Sequence, residues 1–175
     1  TYYDDVRVSD VWRIGEVDEG WATMNVALTL ERVGASGGEQ RKAVAAVETW
    51  ALAASAHDGG RPIDDDRVAV RLMRAAAEAR VTRLLGLRSV WSYTTGSRSG
   101  VEGSMAKLFG SECLVRMTDD LAMLSPELLV SAADPTKGSV EEAVRHAQPG
   151  TIYGGTSEVQ RSIIAQHGLG LPRAR

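Results

Sequence analysis

Ile152-Tyr-Gly-Gly-Thr-Ser-Glu-Val-Gln-Arg-Ser-Ile-Ile-Ala-Gln-His-Gly-Leu-Gly-Leu-Pro172 is the most informative stretch of the sequence. Gly154 and Gly155 break the chain, and Thr156 then opens a helix in which Ser157, Val159, Ile163 and Ile164 lead to Gly168, a natural C-cap. A helix that starts after a Gly-Gly turn leaves N–H donors without intrahelical partners, which suits an anion or the polar edge of a cofactor. The same residues also read as an ordinary cap. Thr156 to Val159 has capping-box character, with Glu158 one position early for the standard box. On the residues alone both readings stand.

Upstream, the chain reads as helices joined by short loops. Pro149-Gly150 ends a short helix from Ser139 to about Ala147, and 132–138 is a loop. A helix over 104–124 is expected to turn Met105, Leu108, Phe109, Cys113, Met117 and Leu121 inward, and Ser125-Pro126 ends it. Thr94 to Gly103 is a linker. Asp64 to about Tyr93 is another helix, with Val68, Leu72, Ala76, Ala79, Leu84 and Leu87 as core candidates. His57 to Pro62 is a loop. Trp21 to about His57 is expected to be one long helix, with Trp21, Met24, Leu28, Val33, Val44, Val47, Ala51 and Ala54 near one stripe. Gly34-Ala-Ser-Gly-Gly38 is its weak point, because a helical Gly costs roughly 1 kcal/mol against Ala. Either something offsets that cost, such as a close backbone or cofactor, or the helix breaks there.

The expected fold is therefore all-α, an up-and-down helical bundle, with a short strand segment over Thr1–Val8. That strand has no partner in the sequence and would have to pair elsewhere. The expected division is a remnant strand and linker over 1–17 and a helical bundle over 18–175.

The 175 residues carry a net charge of -3, which argues against nucleic acid as the main partner. The basic residues between Arg67 and Arg88 recur at several helical angles and read as a solvated face. No run reaches the roughly 18 apolar residues of a membrane span, and no secretory signal is visible, so a cytoplasmic protein is expected. The single Cys113 excludes an internal disulfide, and His57, His146 and His167 lack metal-ligand spacing. One carboxylate attracts notice. Glu31, in Ala27-Leu-Thr-Leu-Glu-Arg-Val33, sits one turn from an apolar stripe where desolvation would suit a general base. A Glu-Arg pair on a helix is also commonly just a solvated pair.

The stretch 152–172 closely resembles the C-terminal signature of the acyl-CoA dehydrogenases, in register over its whole length. Tyr2-Tyr-Asp-Asp-Val-Arg-Val8, with Gly15-Glu16 and Gly20-Trp21, looks like the end of that family's middle β domain and the entry to its C-terminal domain. Glu102-Gly-Ser-Met-Ala-Lys-Leu108 is similar in a looser way. The resemblance implies a FAD-dependent enzyme that oxidises an acyl-CoA to the 2,3-enoyl-CoA. A glutamate would take the α-proton, the β-hydride would pass to flavin, and an electron-transfer flavoprotein would accept the electrons. Many members carry the base just after the Ile-Tyr pair, where this chain has Gly154. A minority carry it on the first C-terminal helix, before an Arg, as Glu31 and Arg32 stand here.

The resemblance thus implies Glu31 as catalytic base, with Arg32, Tyr153 and Gly154 toward the substrate and Gly155, Thr156 and Glu158 beside FAD. It also implies homo- or hetero-oligomers formed through the bundle. Two family motifs are missing. Ser55-Ala-His-Asp-Gly-Gly-Arg-Pro62 replaces an Arg-x-x-Phe-Gly motif, and Asp120 to Leu128 replaces a glycine-rich adenine contact. Both losses weaken the half of the cofactor site that reaches across subunits. The alternative is a non-catalytic structural subunit of a heteromeric enzyme.

Overall fold

The computed structural model describes residues 1–34, 37–53, 59–96, 101–130 and 138–173. The fold is all-α. Helix α1 runs Gly20–Gly34, α2 Gly38–Ala53, α3 Asp66–Thr94, α4 Val101–Leu124, α5 Glu127–Val130, α6 Gly138–Gly150 and α7 Ser157–Ile163. α7 continues into a wider π turn over Ile164–Gly168. The centre of the bundle is α4, which packs on α3, α6 and α7, while α2 closes the other side against α3 and α6. Val47, Ala51, Leu72, Leu114, Met117, Leu121, Val140 and Ala147 form the dry core.

Several expectations change. The long helix over 21–57 is two helices, with Gly37 in the left-handed region at φ 72° between them. Its stripe divides as well. Val44, Val47 and Ala51 are buried, but Trp21 and Met24, in the first turns of α1, are exposed although α1 packs on α3 and α4. Val33 and Ala54 lie outside the described side chains, as does most of the 132–138 loop. No strand forms over 1–8 among the described residues. That segment is exposed and has no ladder partner.

α3 buries its expected face in the first half only. Leu72 is inside with Val68, Ala76 and Ala79 packed against the core, but Leu84 and Leu87 are half exposed, and the other buried positions are Ala75, Thr82, Gly86, Ser89 and Ser92. Small residues let α3 and α4 approach closely. A Cβ on Gly110 would sit 3.1 Å from Thr82 Cγ2, and the buried Gln40 amide donates to the Gly110 carbonyl at 3.0 Å. α4 starts at Val101, so the 94–103 linker is shorter than expected, with 97–100 outside the described residues. On α4 Met105, Leu108 and Phe109 are only half-buried, whereas Cys113, Met117 and Leu121 are fully inside. Exposed apolar side chains gather on α1 (Trp21, Met24, Val26) and on α3 (Val70, Met73, Val81, Leu87, Trp91).

At the C-terminus the stop lies two residues beyond the expected Gly168 cap. Gly170 adopts φ 67° and the Leu171 N–H donates to the Ala165 carbonyl at 2.9 Å. The π turn widens the helix end, and this displaces the glycine that reverses the chain.

Candidate active site

α6 ends in a tight turn that delivers the candidate residues to α7. Pro149 sits in its last turn, and the Ile152 and Tyr153 N–H groups both donate to the Pro149 carbonyl at 2.9 and 3.1 Å. Gly154 (φ 64°) and Gly155 (φ 96°) reverse the chain in a conformation that disfavours any residue with a Cβ. The Ser157 N–H closes the loop onto the Thr151 carbonyl at 3.1 Å. Thr156 is the N-cap, its hydroxyl oxygen accepting the Val159 N–H at 3.3 Å. Glu158 follows as an exposed carboxylate, held below the usual carboxylate range by its backbone hydrogen bond and then by the Thr156 hydroxyl.

Gln160 holds the turn from beneath. It is fully buried, and its amide donates to the Gly154 and Gly155 carbonyls at 3.0 and 3.3 Å. Its Oε1 is unpartnered, as is the buried Ser157 hydroxyl beside it in the same helix turn. A second donor comes from α4: Lys107 Nζ donates to the Gly155 carbonyl at 2.7 Å.

Glu31 and Gly154 converge on one spot. A Cβ added to Gly154 would lie 3.8 Å from Glu31 Oε1 and 4.0 Å from Lys107 Cε. The pairing of Glu31 with the 152–160 turn, separate in sequence, is thus a feature of the structure. Its burial is not, because Glu31 is exposed in this chain and the apolar stripe does not cover it. The Arg32 side chain lies outside the described residues. Tyr153 is half exposed at 49%, and its hydroxyl sits 2.6 Å from His146 Nε2. His146 in turn lies 3.6 Å from Glu39. The phenol's pKa is raised, first by burial and then by the Glu39 and Glu31 charges. Behind it a cavity of about 360 Å³ runs between the start of α2 and α4, lined by Glu39, Lys42, Thr82, Lys107 and Tyr153.

Sequence reasoning quoted Lys107 without assigning it a place. Its signal was available: a lysine among the small residues Ser104, Ala106 and Gly110 sits on a face built for close packing, and has to find a partner when buried. Among the described residues there is no cluster of three or more metal-type side chains, and no helix is long and apolar enough to cross a membrane.

The arrangement is an all-α bundle in which a left-handed Gly-Gly turn leads into α7 beside the Glu31 carboxylate. Residues 18–169 match the family described as "Acyl-CoA dehydrogenase, C-terminal domain". The chain belongs to the acyl-CoA dehydrogenase family, whose class is oxidoreductase. It is 34% identical to acyl-CoA dehydrogenase FadE26 of Mycobacterium tuberculosis, covering 99% of this chain and 46% of that protein. It superposes with a TM-score of 0.85 on a chain of the ChsE4-ChsE5 complex from Mycobacterium tuberculosis, at 33% identity over 99% of this chain and 46% of that one. A third likeness, TM-score 0.84 and 27% identity, covering 99% of this chain and 45% of that one, is to a structure titled "Tcur3481-Tcur3483 steroid ACAD". The chain thus spans about half the length of the curated relatives it matches.

Proposed function

We propose that this chain is the C-terminal helical part of a FAD-dependent acyl-CoA dehydrogenase, with Glu31 as the base that removes the α-proton of an acyl-CoA thioester. The observation that carries the reading is the approach of Glu31 Oε1 to within 3.8 Å of the Gly154 Cβ position. A carboxylate reaching from α1 thus occupies the space that a side chain at 154 would fill. The α-proton of a thioester is weakly acidic, so its base has to be aimed and shielded from water. α1 supplies the aim. Shielding has to come from outside this chain, since Glu31 is exposed here.

The residues of the turn fit a flavin. Gly155 carries no Cβ, Thr156 offers a hydroxyl, and Ser157 and Gln160 hold buried polar atoms without partners in the first turn of α7. FAD bound there would accept the β-hydride. In this reading Gly155 and Thr156 shape the polar edge, Glu158 lies beside it, and Tyr153, Gly154 and Arg32 face the thioester. Residues 1–17 are the end of the middle β domain and 18–175 the C-terminal bundle. Exposed Tyr2, Val6, Val8, Val11, Trp12 and Ile14 in the first segment support an origin in a neighbouring domain.

Product electrons would leave to an electron-transfer flavoprotein, and the exposed faces of α1 and α3 would join the assembly in a cytoplasmic oligomer. The similar ChsE4-ChsE5 complex pairs two chains, and the Tcur3481-Tcur3483 protein is named a steroid ACAD. A bulky, ring-bearing acyl group is accordingly the substrate class to try first. The paired chains favour a second reading, a structural subunit that completes a partner's site. One experiment separates them. In the full assembly, Glu31→Gln should lower the rate of flavin reduction by roughly 10²- to 10⁴-fold with flavin content unchanged. Reduction at the parental rate would refute Glu31 as base and leave the structural reading.

A further inference from the structure

We propose that Lys107 is a positioning residue for this site, holding the Gly154–Gly155 turn at the height where Glu31 and the start of α7 meet the substrate. The inference rests on the reading of Glu31 as base. Lys107 is a lysine with 6% of its surface exposed, on the central helix of the bundle. Burying an ammonium is costly unless it is hydrogen-bonded, and evolution of a dry core would place an apolar residue there. Its Nζ donates to the Gly155 carbonyl, in the left-handed Gly-Gly turn, at 2.7 Å. Gln160 Nε2 donates to the same carbonyl at 3.3 Å. Two donors on one acceptor fix that peptide plane.

The geometry extends beyond the turn. Lys107 Cε and Glu31 Oε1 lie 4.0 and 3.8 Å from the same Gly154 Cβ position, so they can be no further apart than those distances added. The Lys107 charge also reaches Glu158 in the first turn of α7, where it helps stabilise that carboxylate. One buried cation therefore holds the turn, acts by its charge on the cofactor-side helix start, and shares with Glu31 a close approach to the Gly154 position. A displaced turn would leave the substrate contacts of the other domains in place and misaim the α-proton toward Glu31. The loss should fall on the chemical step.

The test compares Lys107→Met, Lys107→Arg and parent in the complete flavoprotein assembly. Lys107→Met should lower the limiting rate of flavin reduction by roughly 10- to 100-fold, as misplacement of reacting groups by about an ångström does. KM for the acyl thioester should move less than twofold, and Lys107→Arg, which keeps a cationic donor, should recover much of the rate. Independently of turnover, amide hydrogen exchange over 151–160 should quicken in Lys107→Met and return toward parental in Lys107→Arg. Should Lys107→Met not assemble, Lys107→Gln replaces it under the same criteria. Unchanged exchange over 151–160, or kcat and KM shifting together with no recovery in Lys107→Arg, would overturn the proposal. If Glu31→Gln reduces flavin normally, the base assignment fails, while the exchange measurement still decides whether Lys107 holds the turn.

Discussion

Gly155 should be the least replaceable glycine in the chain, and Gly154 beside it should be much more tolerant. Both have positive φ, which costs an L-residue roughly 1–2 kcal/mol. At Gly154 little else is lost, because an added methyl would be in ordinary contact with Glu31 and Lys107 at 3.8 and 4.0 Å. At Gly155 the methyl would lie 2.5 Å from Gln160 Nε2. Gln160 cannot move aside cheaply. It is fully buried, and shifting it breaks its bonds to two carbonyls, at about 1 kcal/mol each. Gly155→Ala should therefore cost about 3–4 kcal/mol and Gly154→Ala about 1–2 kcal/mol. For a protein of this size that is roughly 10 °C against roughly 4 °C in Tm. Urea unfolding of both variants and of Gly155→Ala/Gln160→Ala completes the test. In the absence of the Gln160 side chain the Gly155 methyl has room, so a coupling of about 2 kcal/mol is expected. Equal costs for the two glycines, or strict additivity in the cycle, would refute the account of Gln160 as the turn's support.

Two further outcomes follow from the core. Leu121→Ala, at a fully buried position on α4, should cost about 3 kcal/mol in urea unfolding, whereas Leu84→Ala on the half-exposed face of α3 should stay within about 0.5 kcal/mol. Cys113 has its pKa raised from 9.0 to about 11, first by burial and then by the Glu78 charge. It should resist alkylation by iodoacetamide at pH 8 until the protein is unfolded. Because the folded state favours the neutral thiol, its contribution to stability is whole below pH 9 and is lost as pH rises toward about 11. Cys113→Ala should flatten the decline of Tm across that window.

What the sequence made legible depended on where the signal was local. Proline, the glycine pair and Thr156 placed the end of α6 and the start of α7, because turn conformation and capping are set by a few adjacent residues. The inward face of α3 is legible in its first half, where Leu72 is buried and Val68, Ala76 and Ala79 pack against the core. Beyond that the packed positions are the small Thr82, Gly86 and Ser89, with Thr82 against Gly110, while Leu84 and Leu87 are half exposed. The break at Gly37 was visible as a cost but not as an outcome, since a helix through 34–38 and a left-handed turn there differ by tertiary contacts that no local pattern records. Of the site, the carboxylate and the turn were each readable. Their meeting was not, because Glu31 on α1 and Gly154 in the turn before α7 are far apart in the chain, and both α1 and α7 pack on α4.

That meeting carries one last consequence. A side chain at 154 and the carboxylate of Glu31 compete for the same space, so the site has room for one base delivered by either route. From α1 the base comes on a regular helix and the turn keeps its strain-free glycine. From the turn, the base requires a non-glycine residue at φ 64°, at roughly 1–2 kcal/mol. A Glu at 154 would start its side chain 3.8 Å from Glu31 Oε1, so two carboxylates would crowd one region and their repulsion would raise the pKa of one. Gly154→Glu on its own should therefore lower both stability and the reduction rate. Combined with Glu31→Gln it should recover at least tenfold of the rate lost by Glu31→Gln alone, read by rapid flavin reduction in the full assembly. Should the double variant be as slow as Glu31→Gln, the two positions do not serve the same proton, and the convergence at Gly154 is a matter of packing.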